Sequence, residues 1–336
     1  MIKQEPKMVN LNSKLTCPKR FDFSEIASGK SARKTQNSPV SASLICPLRQ
    51  ISRGKLLLLF LLLLSAVCYP PSAFSGMFEP LGLGARPLAM GKSFVALAND
   101  ASCIYWNPAG LTQLDKDEII TMYSDLYNMG LISYQGACFA HPGIGGGAIG
   151  FGYTRLATSN KVDFLDFQEN TFLFSYAMSP LRYTSIGVNL KYYLADFETS
   201  GTGAGIDAGI LFNYDNIISI GVSAQDINEP EVQFQSGASD KVPLNLKAGL
   251  AVAPIQDLVV ALDLDNINED TKLHVGAEYW LGKYFAVRAG GINQYQGNWT
   301  YSGGIGIVYR AIKLDYAYQR HFDLEDTHFV SLGFVF

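Results

Sequence analysis

The sequence lacks an apolar run long enough to form a membrane-spanning helix. Its longest run, Leu56 to Val67, has 12 residues, whereas a helix needs about 20 to cross the hydrocarbon core. Charged residues are also scarce, at 17% of 336 residues, while hydrophobic residues reach 48% and include 20 Phe and 18 Tyr. A disordered chain would have more charge and fewer aromatics. These shortages exclude a helical membrane protein and a largely disordered chain.

Cysteines are few, and the common catalytic and metal-binding motifs are missing. Of the five cysteines only Cys103 and Cys138 follow residue 75, which excludes a disulfide framework and predicts two small buried side chains. No H-E-x-x-H, C-x-x-C or G-x-S-x-G motif occurs, and the four histidines are far apart in sequence. We therefore expect no enzyme, no metal site and no cofactor.

Positive charge is concentrated at the N-terminus and is missing from the rest of the chain. Residues 1–75 contain 11 Lys or Arg and 3 Asp or Glu, and the later residues contain 15 and 27. Phosphate binding needs clustered lysine and arginine. Nucleic acid is therefore not expected as a partner.

The N-terminal region has the layout of an export signal. Arg49, Arg53 and Lys55 precede the apolar run, and small residues fit cleavage after Ser75. We interpret residues 49–75 as a signal peptide. Residues 1–48 are polar, basic and rich in Ser and Lys, and they are either a mis-assigned start or a disordered extension.

From residue 118 to the end, apolar and polar residues alternate with a period of two. In 185–192, for example, four apolar residues ending in Leu190 and Tyr192 alternate with Ser, Gly, Asn and Lys. This period is typical of a strand with one apolar face. We count fourteen strands: 118–126, 131–140, 146–156, 168–178, 182–193, 204–214, 217–226, 243–253, 257–265, 272–281, 284–291, 300–309, 311–320 and 327–336.

The connections between these strands alternate between tight turns and longer polar loops, except that the first long-rim connection, 127–130, is short. The longer loops are expected at 157–167, 194–203, 227–242, 266–271, 292–299 and 321–326. Short turns on one rim, longer loops on the other and an even strand count are typical of an outer-membrane barrel. The sequence predicts an all-β membrane protein, a 14-stranded antiparallel transmembrane barrel over 118–336, located in the cell outer membrane. Its expected surroundings are outer-membrane lipids and lipopolysaccharide.

The last strand ends the chain on an aromatic residue. Leu332, Phe334 and Phe336 share one face of 327–336. Such a terminal strand resembles the signal that the barrel-assembly machinery reads. We therefore expect that machinery as a partner and these three residues as the assembly signal.

Charged residues occur on the opposite face, which would line the lumen. Both signs are present, so ion pairs across the lumen are favoured over a catalytic carboxylate pair. The predicted lumen charges are Lys191, Asp207, Lys247, Asp263, Asp265, Glu278, Arg288, Lys313 and Asp315.

Residues 76–117 do not alternate, and they are apolar. The simplest place to bury them is inside the barrel, as a plug or hatch. Two stretches of this segment, Gly84-Ala-Arg-Pro-Leu-Ala-Met-Gly91 and Asn99-Asp-Ala-Ser-Cys-Ile-Tyr-Trp-Asn-Pro-Ala-Gly110, resemble the N-terminal signature of the PorV/PorQ family, within the FadL-like group of barrels. The resemblance implies a 14-stranded barrel whose plug motif comprises Trp106, Asn107, Pro108, Ala109 and Gly110. Lys92 stands where the family commonly has glycine.

Two functions follow from this resemblance. A PorV/PorQ-type protein would take part in secretion or surface attachment of exported proteins, in a type IX-like system, with secretion-system proteins as partners. The alternative is a FadL-like channel for hydrophobic small molecules, although the loops are short for such a transporter. An enzyme inside the barrel would need a serine or carboxylate cluster, and the sequence offers none.

The signal peptide gives the first testable prediction. Protein isolated from outer membranes should begin at or near Gly76, because the charged, apolar and small-residue regions have the order that signal peptidase recognises. N-terminal sequencing would check this. Recovery of membrane-embedded protein that retains Leu56 to Val67 would contradict it.

Overall fold

The computed structural model describes residues 77–158, 166–267, 270–293, 298–321 and 324–336. The predicted signal peptide at 49–75 and the segment at 1–48 lie outside the described residues. Within the described part of the chain, no helix is both long enough and apolar enough to span a membrane. Cys103 and Cys138 are buried and unbonded, as expected.

Two short helices and a 3-10 helix precede a long series of strands. The helices are α1 (Ala85–Ala89), α2 (Cys103–Trp106) and the 3-10 helix η1 (Pro108–Gln113). The strands are β1 (Glu118–Leu126), β2 (Ile132–Ile144), β3 (Gly147–Thr158), β4 (Phe167–Leu181), β5 (Thr184–Phe197), β6 (Thr199–Tyr214), β7 (Ile218–Gln225), β8 (Glu231–Phe234), β9 (Ser239–Lys241), β10 (Asn245–Ile255), β11 (Leu258–Ile267), β12 (Asp270–Leu281), β13 (Phe285–Asn293), β14 (Trp299–Tyr309), β15 (Ile312–Arg320) and β16 (Thr327–Val335).

Fourteen of these strands form a closed antiparallel barrel. Each pairs with its neighbours in sequence, except that β7 pairs with β10 and skips the small β8–β9 hairpin. The first and last barrel strands close the ring through the register Glu118↔Val335 to Asp125↔His328. The predicted 14-stranded barrel is thus confirmed, and all fourteen predicted strands are present.

The long-loop rim differs from the prediction in two places. The expected loop at 194–203 is mostly strand, because β5 and β6 continue to a turn at Glu198. Residues 227–242 were expected to be a loop but contain the β8–β9 hairpin, which pairs with β6. One face of this hairpin is buried, since Val232 is fully buried in an apolar cluster with Tyr193 and Ala195 of β5. The strands β8 and β9 are only four and three residues long, however, and so short a segment gives no clear alternating pattern in the sequence.

The outer face of the barrel is apolar. Large side chains that face outward include Phe174, Leu190 and Ile305, which are 56%, 59% and 52% exposed. A soluble monomer rarely exposes so continuous an apolar surface, whereas a barrel in lipid requires one. Leu332 and Phe334 also lie on this face. Their role in assembly, like that of Phe336, stays a prediction.

Residues 77–116 lie inside the ring. Ala85 N donates to Ser331 Oγ on β16, Val95 N to Asp263 Oδ2 on β11, and Asn107 Nδ2 to Ile210 O on β6. A short segment that contacts strands on all sides of a closed barrel can only occupy its lumen. The segment enters at the long-loop rim, where Met77 N donates to Asp240 Oδ2. It leaves at the short-turn rim, where β1 begins.

Inward-facing glycines let the plug backbone lie directly against the barrel backbone. We call this set the glycine belt: Gly136, Gly150, Gly187, Gly209, Gly221, Gly249, Gly276, Gly290 and Gly304. At each of them an added methyl group would overlap a neighbouring atom, and at all but Gly249 the overlapped atoms include atoms of the plug. Three pairs face each other across neighbouring strands, for example Gly276↔Gly290. The belt therefore explains why so many strands have glycine at an inward position.

Gly290→Ala should destabilise the protein. Its methyl group would overlap the amide nitrogen of Gly91, and overpacking of this kind costs about 1–3 kcal/mol. The matched control is Gly303→Ala on β14, where the nearest other atom to the new methyl is Arg288 O at 3.6 Å. Heat- or urea-induced unfolding, followed by the electrophoretic mobility shift of folded barrels, would measure both variants. Equal unfolding midpoints for Gly290→Ala and Gly303→Ala would contradict close packing of the plug against the wall.

Candidate functional site

The plug motif lies at the centre of the lumen. Trp106 is 2% exposed, and its indole Nε1 donates to Leu83 O at 2.8 Å. Pro108 and Ala109 pack against the backbone of Gly187 on β5, where a side chain would have no room. Gly110 lies against the backbone and side chain of Ala98. The motif residues are thus brought together at the point where plug and wall are in closest contact.

Asn107 connects three parts of this region. Its Nδ2 donates to Val95 O at 3.0 Å within the plug and to Ile210 O at 3.2 Å on β6. Its Oδ1 accepts from Ala109 N at 3.2 Å, which caps η1. The side chain is fully buried. Because all of its partners are buried backbone groups, loss of the amide would leave carbonyl oxygens unpaired.

Below the motif, towards the short-turn rim, charges of the plug meet charges of the wall. Arg86 donates to both carboxylate oxygens of Glu278 on β12, at 2.8 and 2.7 Å, and to Asp100 Oδ2 at 2.9 Å. Arg288 on β13 binds Glu278 Oε2 at 2.7 Å and Asp315 Oδ1 at 2.6 Å. Burial alone would lower the pKa of Arg86, but Glu278 and Asp100 raise it above its usual value.

A second ion pair joins the wall to the plug near the same rim. Lys313 on β15 donates to Glu118 Oε1 at 2.6 Å, while Glu118 Oε2 accepts from Ala101 N at 3.2 Å. Glu118 is 2% exposed. One carboxylate on the first barrel strand thus binds both β15, which lies beyond β16, and the plug.

Another cluster surrounds Lys191 on β5. Its Nζ lies 2.9 Å from Asp207 Oδ1 and 2.9 Å from Asp226 Oδ2. Tyr193 Oη donates to the other oxygen of Asp226 at 2.5 Å, and Asn189 Nδ2 donates to Asp207 Oδ2 at 2.9 Å. Every carboxylate of this cluster has a partner, which is what buried charges require.

The nine predicted lumen charges all face inward, and eight of them form ion pairs. In addition to those above, Lys247 Nζ lies 3.3 Å from Asp265 Oδ2. Asp263 instead accepts a hydrogen bond from Val95 N at 2.8 Å. The sequence did not identify four partners: Arg86, Asp100, Glu118 and Asp226. Glu118 shares the inward parity of β1 and could have been found from it, whereas the others lie outside the strands, where alternation gives no signal.

The plug divides the remaining space of the lumen into two main cavities. The inner cavity, about 300 Å³, lies at the short-turn rim and is lined by the charged groups around Arg86 and Arg288. The outer cavity, about 290 Å³, lies at the long-loop rim. Its walls combine apolar residues such as Leu126, Ile292 and Phe329 with Lys92, Lys247 and His274. A smaller space of about 70 Å³ lies beside it.

No group of three or more His, Cys, Asp or Glu side chains in the described part of the chain is placed to hold a metal ion. The described side chains of the lumen form ion pairs, hydrogen bonds and apolar contacts.

The fold that these observations define is a closed 14-stranded antiparallel barrel with an internal N-terminal plug. Solved structures with this fold include the toluene transporter TbuX of Ralstonia pickettii, with a TM-score of 0.60 and 14% identity over 77% of this chain and 100% of that chain. The CymD monoaromatic hydrocarbon channel has a TM-score of 0.61 and 13% identity over 77% and 99%. A FadL homologue of Pseudomonas aeruginosa has a TM-score of 0.56 and 11% identity over 78% and 99%.

The first two are described as a transporter and a channel, and all three share the barrel fold of this chain. A family model described as "F plasmid transfer operon, TraF, protein" matches residues 162–302, less than half of the chain. No curated protein matches the sequence. The FadL-like part of the predicted resemblance is thus supported at the level of the fold, and the PorV/PorQ part stays a prediction.

Asn107→Ala should leave a folded barrel with a looser plug. Loss of the hydrogen bonds to Val95 O within the plug and to Ile210 O on the wall would cost about 1–3 kcal/mol and would loosen the plug–wall contact, so conductance through the lumen should rise. Single-channel recording in planar bilayers would measure it. Asn99→Ala is the control, because that exposed plug amide only accepts from Arg86. A folded Asn107→Ala protein with wild-type conductance would show that the residue is a structural corner only.

Proposed function

We propose that the protein is an outer-membrane channel that passes small hydrophobic molecules across the membrane. The observation that carries this proposal is the outer cavity, a space above the plug whose wall combines an apolar patch around Leu126, Ile292 and Phe329 with charged and polar side chains. The transport proteins that share the fold give it further support, since two of them are described as a toluene transporter and a monoaromatic hydrocarbon channel.

The size of the outer cavity and the apolar patch of its wall suit a small molecule with an apolar body. Its volume of about 290 Å³ is at the lower end of the roughly 300–1,000 Å³ found for small-molecule sites. Phe329, Ile292 and Leu126 are 4%, 5% and 7% exposed, so their side chains form a packed wall. Leu81 of the plug contributes the floor. A molecule of about one ring would fit between them.

Passage to the inner cavity requires the plug to move. The glycine belt and the Asn107 hydrogen bonds hold the plug and the barrel wall in contact at the level that separates the two cavities. The ion pairs of Arg86 form the next layer. The plug can shift without unfolding the barrel, because the wall strands are hydrogen-bonded to one another and not through the plug.

The secretion role that the sequence favoured has less support. A protein cargo could not pass a lumen that the plug fills, and two of the similar solved structures are described as a toluene transporter and a monoaromatic hydrocarbon channel. The outer-membrane location, the surrounding lipids and the assembly machinery remain parts of the proposal that follow from the barrel and its apolar exterior.

Uptake by whole cells tests the proposal. The outer leaflet of a Gram-negative host restricts hydrocarbons, so expression of the full chain should raise the initial uptake rate of radiolabelled toluene several-fold over the same host expressing an unrelated closed barrel. Equal rates in the two strains would contradict the proposal. A deletion strain that loses surface-attached proteins but keeps wild-type toluene uptake would instead favour the secretion role.

A further inference from the structure

The outer cavity contains a buried hydrogen-bond acceptor that no described residue satisfies. His274 on β12 is 4% exposed, and its Nδ1 lies 2.8 Å from Gly91 O. Because a carbonyl oxygen only accepts, Nδ1 must carry the proton. In the neutral imidazole, Nε2 is then an acceptor. That Nε2 has no hydrogen-bond partner among the described residues, although the ring lines the cavity.

A second unsatisfied acceptor lies beside it. Asp265 on β11 is 9% exposed, and its Oδ2 is 3.8 Å from His274 Nε2 and 3.3 Å from Lys247 Nζ. Its Oδ1 has no partner in the described part of the chain. Buried polar atoms are rarely left unpaired, because desolvation without a hydrogen bond costs about 1–3 kcal/mol. Two such acceptors on one cavity indicate a ligand that donates a hydrogen bond.

Lys92 offers a donor to the same space. It has a φ of +64°, in the left-handed region that disfavours residues with a side chain. Among the described residues its ammonium reaches only Pro80 O, at 3.4 Å, and burial lowers its pKa to about 8. A strained backbone that carries a poorly satisfied lysine into a cavity is typical of a functional position.

The charge of the lining decides what kind of donor fits. Lys92, Lys247 and Lys272 outnumber the acidic residues Glu79 and Asp265, so a cation is disfavoured. A carboxylate would oppose both unsatisfied acceptors, since it has no proton to give. A neutral hydroxyl fits this lining, because it carries no charge, donates one hydrogen bond to one of the two acceptors and accepts others from the lysines. The apolar wall around Phe329 would hold the rest of the molecule.

We propose that the outer cavity binds small aromatic alcohols, with the phenolic hydroxyl donating to His274 Nε2 and accepting from Lys92. The proposal rests on the proposed channel function and assigns it a substrate class, hydroxylated rings in preference to the bare hydrocarbon. A site that hydrogen-bonds a hydroxyl discriminates against the analogue that lacks it, because its own polar groups would then stay unpaired.

Binding of two isosteric probes tests the proposal. The full chain in detergent micelles is titrated at pH 7.5 with 4-fluorophenol or 4-fluorotoluene and followed by fluorine NMR, with protein-free micelles subtracted. We expect the phenol to bind about tenfold more tightly. His274→Asn keeps an amide donor near the Nδ1 position for Gly91 O but loses Nε2, and it should reduce this ratio to within about threefold. His274→Gln keeps an acceptor near Nε2 and should retain most of the ratio.

Two more variants test whether phenol binding depends on Lys92 and on a histidine inside the lumen. Lys92→Gly relieves the strained φ, so it should fold at least as well as wild type and weaken phenol binding about threefold to fivefold without affecting toluene. His328→Asn removes an exposed histidine on β16, outside the lumen, and should change nothing.

A wild-type ratio near one, an unchanged ratio in His274→Asn, or tighter binding of 4-fluorobenzoate than of 4-fluorophenol would overturn the assignment. None of these outcomes affects the toluene-uptake test, so failure of the phenol site can be distinguished from failure of the channel function.

Discussion

Hydrogen bonding of the backbone is the constraint on which the whole molecule depends. Lipid offers no partner for an amide or a carbonyl, so a sheet can cross the membrane only if every strand has a neighbour on both edges. The β1–β16 ladder meets this requirement by joining the two ends of the barrel sequence. Once the ring is closed, each strand has one face towards lipid and one towards the lumen, and the period of two in the sequence follows directly.

The lumen has the opposite requirement, because buried charges must find partners there. Burial of an ion costs several kcal/mol unless opposite charges and hydrogen bonds compensate it. In this lumen, charged residues of the plug form ion pairs with charged residues of the wall, for example Arg86 with Glu278. Such pairs are weak evidence of stability, but they specify position: an arginine that donates to both oxygens of one carboxylate fixes the plug in register with the barrel. Where the pairing is incomplete, around His274 and Lys92, the lumen is open to a ligand.

Much of the barrel could be predicted from the sequence, because alternation and turn residues are local signals. All fourteen strands, the sidedness of the rims and the inward direction of the nine charges follow from them. The partners of those charges could not be predicted in the same way. Which strands face each other across the lumen depends on the tilt and stagger of the closed sheet, and no single strand contains that information.

The plug was predictable in place but not in detail. Its apolar composition indicated burial, yet the contacts of Asn107 depend on three segments that are far apart in sequence. The β8–β9 hairpin was missed because strands of four and three residues are too short to show alternation. The β5–β6 extension was missed because residues 198–203 contain no large apolar side chain to alternate. Lys92 drew attention only as a departure from the family pattern, and its meaning depends on a backbone angle and a cavity that a sequence does not display.

The glycine belt has a kinetic consequence. With clearances smaller than a methyl group between plug and wall, the two cavities are compartments in series rather than sections of one open pore. A solute that moves from one to the other must wait for the plug to rearrange, a motion of the microsecond to millisecond class. Flux through such a protein would saturate at high solute concentration and rise steeply with temperature. In its kinetics the barrel would then behave as a carrier, although in its architecture it is a channel.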